Sequence, residues 1–101
     1  DNIHSFDVVS CFWEYFKKPR AGEIYNMGGG RKSNCSILEA FNIIENLTNI
    51  STKRKIKKEN RVGDHIWYIS SMKKFKNHYP NWKQIYNSQK ILEELLSKRF
   101  L

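Results

Sequence analysis

Apolar positions near the start of the chain repeat with a helical period. They recur at i, i+3, i+4 and i+7, which is the spacing of one face of an α-helix. The pattern predicts a helix over residues 6–18, with Ser5 as its N-cap and Pro19 beyond its end. The residues expected to face the core are Val9, Phe12, Trp13 and Phe16.

Three more helices are predicted, two from the same periodicity and a short one that Pro80 ends. They span residues 36–47, 71–79 and 87–99. Ser36 and Glu39 form a capping box at the start of the first, and Asn87 or Ser88 can cap the last. The expected inward positions are Ile37, Phe41, Ile44 and Leu47, and then Ile91, Leu92, Leu95 and Leu96.

One segment favours a β-strand. Residues 23–27 are rich in strand-forming side chains, and the glycines at 28–30 turn the chain after them. We therefore predict an α/β fold with four helices and few, short strands, and without a Rossmann core. A single strand needs a neighbour from outside this chain, so residues 1–101 are expected to form one partial domain.

The glycine turn also invites comparison with a nucleotide-binding loop. Gly28 and Gly30 follow a predicted strand and precede a helix, which is the context of a G-x-G-x-x-G motif. Ser33 stands where the third glycine belongs, and no acidic residue lies at a strand end about 20 residues further on. We therefore interpret the segment as a tight turn that needs a positive φ.

The net charge indicates an anionic partner but does not identify which kind. The chain has 18 Lys and Arg against 10 Asp and Glu, a formal net charge of +8, which favours nucleic acid, an anionic membrane surface or a phosphate-bearing metabolite. Residues 53–58 are almost entirely basic, but no stacking aromatic motif adjoins them, so an exposed edge is the favoured interpretation. No apolar run is long enough to span a membrane. Cys11 and Cys35 are expected to be buried, reduced thiols of a cytoplasmic protein.

The strongest chemical signal lies between residues 61 and 68. Arg61 offers a planar fork of donors that matches phosphate, and Gly63 lets the backbone turn so that Asp64 can approach it. Asp64 can accept hydrogen bonds from sugar hydroxyls or orient the arginine, and Tyr68 can donate to a phosphate oxygen. The alternative is a surface loop in which Arg61 and Asp64 only pair with each other.

Three segments together carry a family resemblance. They are Asn-Ile-His-Ser-Phe-Asp-Val-Val at 2–9, Ile-Tyr-Asn-Met-Gly-Gly-Gly at 24–30, and Arg-Val-Gly-Asp-His-Ile-Trp-Tyr at 61–68. In this order the chain resembles the C-terminal third of the NAD-dependent nucleotide-sugar epimerases of the extended short-chain dehydrogenase/reductase family. The similarity is greatest to the CDP-paratose/CDP-tyvelose 2-epimerase branch. An all-β barrel, or a helical bundle with no strand at 23–27, would show that this family assignment is wrong.

The resemblance implies a substrate-binding role without catalysis. It assigns Arg61, Asp64 and Tyr68 to the nucleotide diphosphate of a CDP- or UDP-sugar. NAD and the catalytic residues would belong to an N-terminal Rossmann domain that is missing here, so no cofactor is expected in this fragment, and the full-length protein could be a homodimer. The alternative is a stand-alone basic domain that binds nucleic acid or another anionic partner.

Other catalytic and metal-binding patterns are weak. Tyr86 and Lys90 match Y-x-x-x-K, but they lie at the start of a predicted C-terminal helix with no Rossmann core, so we interpret the match as chance. His4, His65 and His78 are too scattered to predict a metal site, and His4 is expected to orient its loop.

Overall fold

Four α-helices are present in the computed structural model, which describes residues 1–100. They are α1 (Ser5–Lys17), α2 (Ile37–Thr48), α3 (Lys73–His78) and α4 (Ser88–Phe100), with a short 3-10 helix at Gly30–Ser33. All four predicted helices are confirmed, with ends that differ by no more than two residues from those expected.

Side chains cap three of these helices. His4 caps α1, one residue earlier than predicted, because its Nδ1 accepts a hydrogen bond from the Phe6 amide at 2.9 Å. Ser36 Oγ accepts from the Glu39 amide at 3.1 Å, as the capping-box pattern predicted. Asn87 Oδ1 accepts from an amide in the first turn of α4. Local sequence therefore fixes where these helices begin.

The predicted strand at 23–27 is not a β-strand in the structure. No strand is assigned anywhere in residues 1–100, because the segment has no neighbouring backbone with which to form a ladder. Its side chains still alternate: Tyr25 and Met27 are half-buried, whereas Ile24 is exposed. The Ile24 carbonyl accepts from Lys74 Nζ at 2.9 Å instead of from another strand. The described chain is a small helical domain without a Rossmann core.

The hydrophobic core is small and lies beside α3. Trp82 and Tyr79 are buried after this helix, and Tyr25 packs edge-to-face on Phe75 with ring centroids 5.4 Å apart. The buried apolar residues are Cys11, Met72, Phe75, Tyr79 and Trp82.

Helix α1 faces the core with the side opposite to the one predicted. Its apolar positions 9, 12, 13 and 16 are 58–72% exposed, whereas Asp7 and Cys11 on the other side are fully buried. Asp7 fixes this orientation, since its carboxylate accepts from the amides of Ile85 at 2.9 Å and Tyr86 at 3.0 Å. These two charge-assisted bonds to backbone hold the polar side of α1 inward.

Helix α2 packs against α4. The predicted inward positions are only partly covered: Ile37 and Leu95 are exposed, whereas Phe41, Ile44 and Ile91 are half-buried. The molecule is accordingly flat, with extents of 49 × 39 × 17 Å and a radius of gyration of 16.7 Å. A compact domain of about 100 residues has a radius of gyration of about 13 Å.

Candidate substrate-binding loop

Residues 49–72 join α2 to α3 without a helix or strand of their own. Connections longer than about 12–15 residues are uncommon in small domains and frequently carry function. The candidate substrate-binding residues Arg61, Asp64 and Tyr68 lie in the second half of this loop. The loop is exposed to solvent from residue 53 to residue 68.

Arg61 and Asp64 form a forked ion pair at the tip of the loop. Arg61 Nε donates to Asp64 Oδ2 at 2.9 Å and Nη2 donates to Oδ1 at 3.2 Å. The Asp64 amide also donates to the Arg61 carbonyl at 3.2 Å, which closes a tight turn, and Gly63 supplies the φ of +82° that this turn needs. Arg61 and Asp64 therefore lie together, as both the binding interpretation and the alternative of a simple surface ion pair predict.

The ion pair leaves part of the guanidinium unused. An arginine has five N–H donors, and Asp64 engages one on Nε and one on Nη2. Both N–H groups of Nη1 and one of Nη2 remain, on a side chain that is 88% exposed. Asp64 can therefore hold the plane of the guanidinium while an anion binds its other edge.

Tyr68 is not brought into contact with this pair. Its side chain is exposed, and its ring lies 5.8 Å from that of His65. An open cleft of about 420 Å³ lies beside it, but neither Arg61 nor Asp64 lines this cleft. The cleft is lined by Asp1, Asn34, Cys35, Ser36, Glu39, His65, Ile66, Trp67 and Tyr68.

Asp1 anchors the end of the loop to the glycine turn. Its Oδ2 accepts from the Gly30 amide and from the Ser70 amide, each at 2.8 Å, and also from the Ser70 hydroxyl. The approach is so close that a Cβ on Gly28 would lie 1.8 Å from Ser70 Oγ. Sequence reasoning missed this role, because an isolated aspartate has no characteristic pattern.

The glycine turn itself is structural, as interpreted from the sequence. Gly30 has a φ of +62°, and its amide is engaged by Asp1. The Gly28 amide donates to Met72 Sδ at 3.3 Å. A phosphate-binding loop needs free amides that point at the ligand, and these two amides already have partners.

His4 holds the start of the chain against α4. While Nδ1 caps α1, Nε2 lies 2.7 Å from Glu94 Oε2, and the ring stacks on Tyr86 at a centroid distance of 3.8 Å. The pKa of the Glu94 carboxyl is lowered, first by the hydrogen bond from Lys98 and then by that from His4. His4 thus orients its loop, and within residues 1–100 no group of His, Cys, Asp and Glu could hold a metal ion.

The basic run at 53–58 is exposed throughout. Arg54 is its one anchored member, because it donates to Glu45 at 2.8 Å and lies 5.1 Å from the ring centroid of Phe41. The pKa of the Glu45 carboxyl is lowered, first by the hydrogen bond from the Thr52 hydroxyl and next by that from the Thr52 amide. The lysines of the run form no ion pair among the described residues; they are Lys53, Lys55, Lys57 and Lys58.

Comparison with known proteins identifies no relative. The chain matches no protein-family model, and no curated protein or solved structure is significantly similar to it. The resemblance to nucleotide-sugar epimerases therefore rests on the three short segments alone. The resemblance led us to expect a strand at 23–27. The structure has no such strand, so the fold gives the resemblance no support. No helix within residues 1–100 has both the length and the apolar character to cross a bilayer.

Proposed function

We propose that this chain is the substrate-binding part of an NAD-dependent nucleotide-sugar epimerase in the cytoplasm, most similar to the CDP-paratose/CDP-tyvelose 2-epimerases. The observation that carries the proposal is the preformed Arg61–Asp64 fork on an exposed loop. In this role Arg61 binds the diphosphate, Asp64 orients Arg61 and meets the sugar hydroxyls, and Tyr68 adds a phenol donor. The chain contributes binding, and its residues take no part in the redox step.

The geometry of the Arg61–Asp64 pair leaves donors for a diphosphate in addition to the ion pair. An exposed surface pair contributes only about 0–1 kcal/mol to stability, so Arg61 and Asp64 do little for the fold. Asp64 holds the guanidinium in one plane, which lowers the entropy lost when a phosphate binds the remaining donors. Tyr68 lies four residues beyond Asp64. Closure of the loop around a ligand would bring the Tyr68 phenol close to the diphosphate.

NAD belongs to a second part of the proposed enzyme, which we call the NAD-binding half. The described residues do not fit this cofactor, because the amides of Gly28 and Gly30 are already engaged. When bound in its own half, NAD would supply the transient oxidation of the sugar. The α/β class also depends on this half, since residues 23–27 would join its sheet as a strand. The whole enzyme could form a homodimer.

The decisive test replaces Arg61 in the protein that includes the NAD-binding half. We expect Arg61→Ala to weaken binding of a CDP- or UDP-sugar by about 2–3 kcal/mol, or roughly 30- to 150-fold, because one charge-assisted pair is lost. Arg61→Lys should recover only part of this, since an ammonium group cannot make the forked contact. Isothermal titration with the nucleotide sugar gives the dissociation constants.

The matched control neutralises two exposed lysines of the same loop. Lys55→Gln with Lys57→Gln removes two positive charges but no forked donor, so nucleotide-sugar affinity should change little. If Arg61→Ala binds the nucleotide sugar as tightly as the unchanged protein, the assignment of Arg61 is wrong.

The exposed lysines of residues 53–58 favour one alternative, a stand-alone basic domain that binds nucleic acid or another anionic partner. On this alternative the lysine variant loses retention on immobilised DNA, whereas Arg61→Ala retains most of it. The reading frame upstream of Asp1 separates the two functions: a Rossmann domain with Y-x-x-x-K supports the epimerase, and an adjacent start codon supports the basic domain.

A further inference from the structure

A cleft of about 610 Å³ is bordered by residues of the 3-10 helix and of α3. Four basic side chains line it, and neither Arg61 nor Asp64 does. We propose that this cleft, here called the basic cleft, binds a linear chain of phosphate groups of the triphosphate class. It is a second anion site, separate from the Arg61 fork. Its basic residues are Arg31, Lys32, Lys73 and Lys76.

The four cations reach the basic cleft from two short elements. Arg31 and Lys32 are consecutive residues of the 3-10 helix. Lys73 and Lys76 lie three residues apart on α3, so they share one side of that helix, with Cβ atoms roughly 5–6 Å apart. Because both pairs border the same concavity, their positive potentials add there and raise the local concentration of anions.

No carboxylate neutralises these cations. The residues that line the cleft include no Asp or Glu, and none of the four cations forms an ion pair among the described residues. Lys74 on the same helix does have a partner, since its Nζ lies 2.7 Å from Glu23 Oε2. Asp1, beside the glycine turn, is already engaged by the amides of Gly30 and Ser70. The charge of the cleft is therefore left for an anion from solution.

Two of the four cations are held in position before any ligand binds. Gln84 Nε2 donates to the Gly29 carbonyl at 3.0 Å, and Lys32 Nζ donates to the Gln84 carbonyl at 3.1 Å. This bond uses one of the three N–H donors of Lys32 and leaves two. Lys76 Nζ lies 5.9 Å from the ring centroid of Trp82, which is buried. Such positioning lowers the side-chain entropy that binding would cost.

The number of cations favours a short chain of phosphates. Three linked phosphate groups carry roughly four negative charges, which matches the four cations. NADH or a nucleotide sugar carries about two on its diphosphate and would leave half of the cations without a partner. Side chains supply the donors here, so the engaged amides of Gly28 and Gly30 do not prevent binding. The volume of the cleft lies within the range of about 300–1,000 Å³ that is usual for ligand sites.

A nucleic-acid backbone fits the basic cleft less well. Its charges are spread along a line, and a protein that follows it needs a continuous basic track. The basic run at 53–58 does not line this cleft and so does not extend it. The four cations converge on one concavity, which suits a compact anion.

Isothermal titration of the protein with sodium tripolyphosphate tests the proposal. We expect saturable binding of one anion per chain. Inorganic monophosphate and NADH should each bind at least about tenfold more weakly, because they engage fewer cations. Cytidine triphosphate identifies the source of the anion: equal affinity supports a free phosphate chain, and tighter binding supports a nucleoside triphosphate.

Matched variants locate the bound anion. Lys73→Gln with Lys76→Gln should weaken tripolyphosphate binding by about 10- to 100-fold, because two charge-assisted contacts are lost. Lys55→Gln with Lys57→Gln removes the same charge outside the cleft and should change the affinity by less than about twofold. Arg31→Gln, on the other element, should also weaken binding. All five positions are exposed, so the variants should fold, and circular dichroism checks that their helices are unchanged.

Three results would overturn the inference. If tripolyphosphate does not bind, or if the Lys73 and Lys76 variant loses no more affinity than the Lys55 and Lys57 variant, the basic cleft is not a site. If a single-stranded DNA oligonucleotide binds more tightly than tripolyphosphate and loses that affinity in the Lys73 and Lys76 variant, the occupant is a nucleic-acid backbone. Arg61→Ala should leave tripolyphosphate binding unchanged; an equal loss there would place the anion at the fork instead.

Discussion

Replacing Asp7 by asparagine tests the contact that fixes the orientation of α1. The carboxylate of Asp7 is fully buried and accepts hydrogen bonds from two successive amides, those of Ile85 at 2.9 Å and Tyr86 at 3.0 Å. It ties the first turn of α1 to the segment that precedes α4. Asparagine has nearly the same shape, so the change leaves packing intact and alters only charge and hydrogen bonding.

The expected loss of stability follows from the number of acceptors. In the Asp7→Asn protein, the new side chain would present one oxygen to one amide and an NH₂ group to the other, so that two donors face each other. One charge-assisted bond is lost and one amide is left without a partner, which together cost about 2–4 kcal/mol. A domain of about 100 residues has a free energy of unfolding of about 5–15 kcal/mol, so the loss is a large share. Asp7→Ala should cost more, because both amides lose their acceptor.

Urea unfolding at neutral pH measures this loss. Far-ultraviolet circular dichroism reports the helices, and the midpoint should fall while the slope with urea stays constant, since the same surface is exposed on unfolding. Asp64→Asn is the control: it makes the same chemical change at a half-exposed carboxylate, where the ion pair contributes about 0–1 kcal/mol. An Asp7→Asn protein as stable as the Asp64→Asn protein would refute the reasoning.

Three further predictions concern chemistry away from this contact. Titration of the chain with NADH should give no saturable fluorescence signal, because the amides of Gly28 and Gly30 are already engaged; a micromolar site would contradict this. Burial, and then the charges of Asp7 and Glu14, raise the pKa of the Cys11 thiol to about 12, so a thiol reagent should label Cys35 alone until urea is added. Because the pKa of Glu94 is lower in the folded chain than in the unfolded chain, the ionised carboxylate contributes to the free energy of unfolding. This contribution is present above the unfolded pKa of about 4.5 and is lost as pH falls through the lower folded pKa. Glu94→Gln should therefore flatten the acid side of a plot of unfolding free energy against pH.

The positions of the helices could be predicted because their signals are local. The serine at 36 and the asparagine at 87 mark helix starts through bonds to amides three residues away, and proline follows the end of two helices. Such contacts depend on neighbours in sequence and hardly on the fold. The cap of α1 was predicted one residue late because histidine is an unusual N-cap, although its Nδ1 accepts as a serine oxygen does.

The direction in which α1 faces could not be predicted from its periodicity. A period shows that four apolar side chains share one side, but it does not say what will cover them. The prediction assumed that this chain supplies its own core. The buried residues of the core instead come mainly from α3 and the segment after it. Asp7 of α1 binds a pair of amides that lie far away in sequence. Contacts separated by nearly eighty residues leave no local pattern.

The candidate site was predictable only in part, for the same reason. Arg61 and Asp64 lie three residues apart around a glycine, so their pairing follows from a single turn. The contacts of Tyr68 depend on how the rest of the loop is held, and sequence spacing alone cannot place its ring. Asp1 was missed because its partners lie 29 and 69 residues away.

The base and the tip of the candidate loop are held with very different strength. At residue 70 the loop is tied to the glycine turn by a half-buried carboxylate with three donors. At residues 61–64 it carries a single exposed ion pair, and the residues around that pair are exposed as well. An anchored base and a loosely held tip allow a loop to close over a ligand without disturbing the core. The fork at Arg61 keeps its geometry during such a movement, because both partners belong to the same turn and move together.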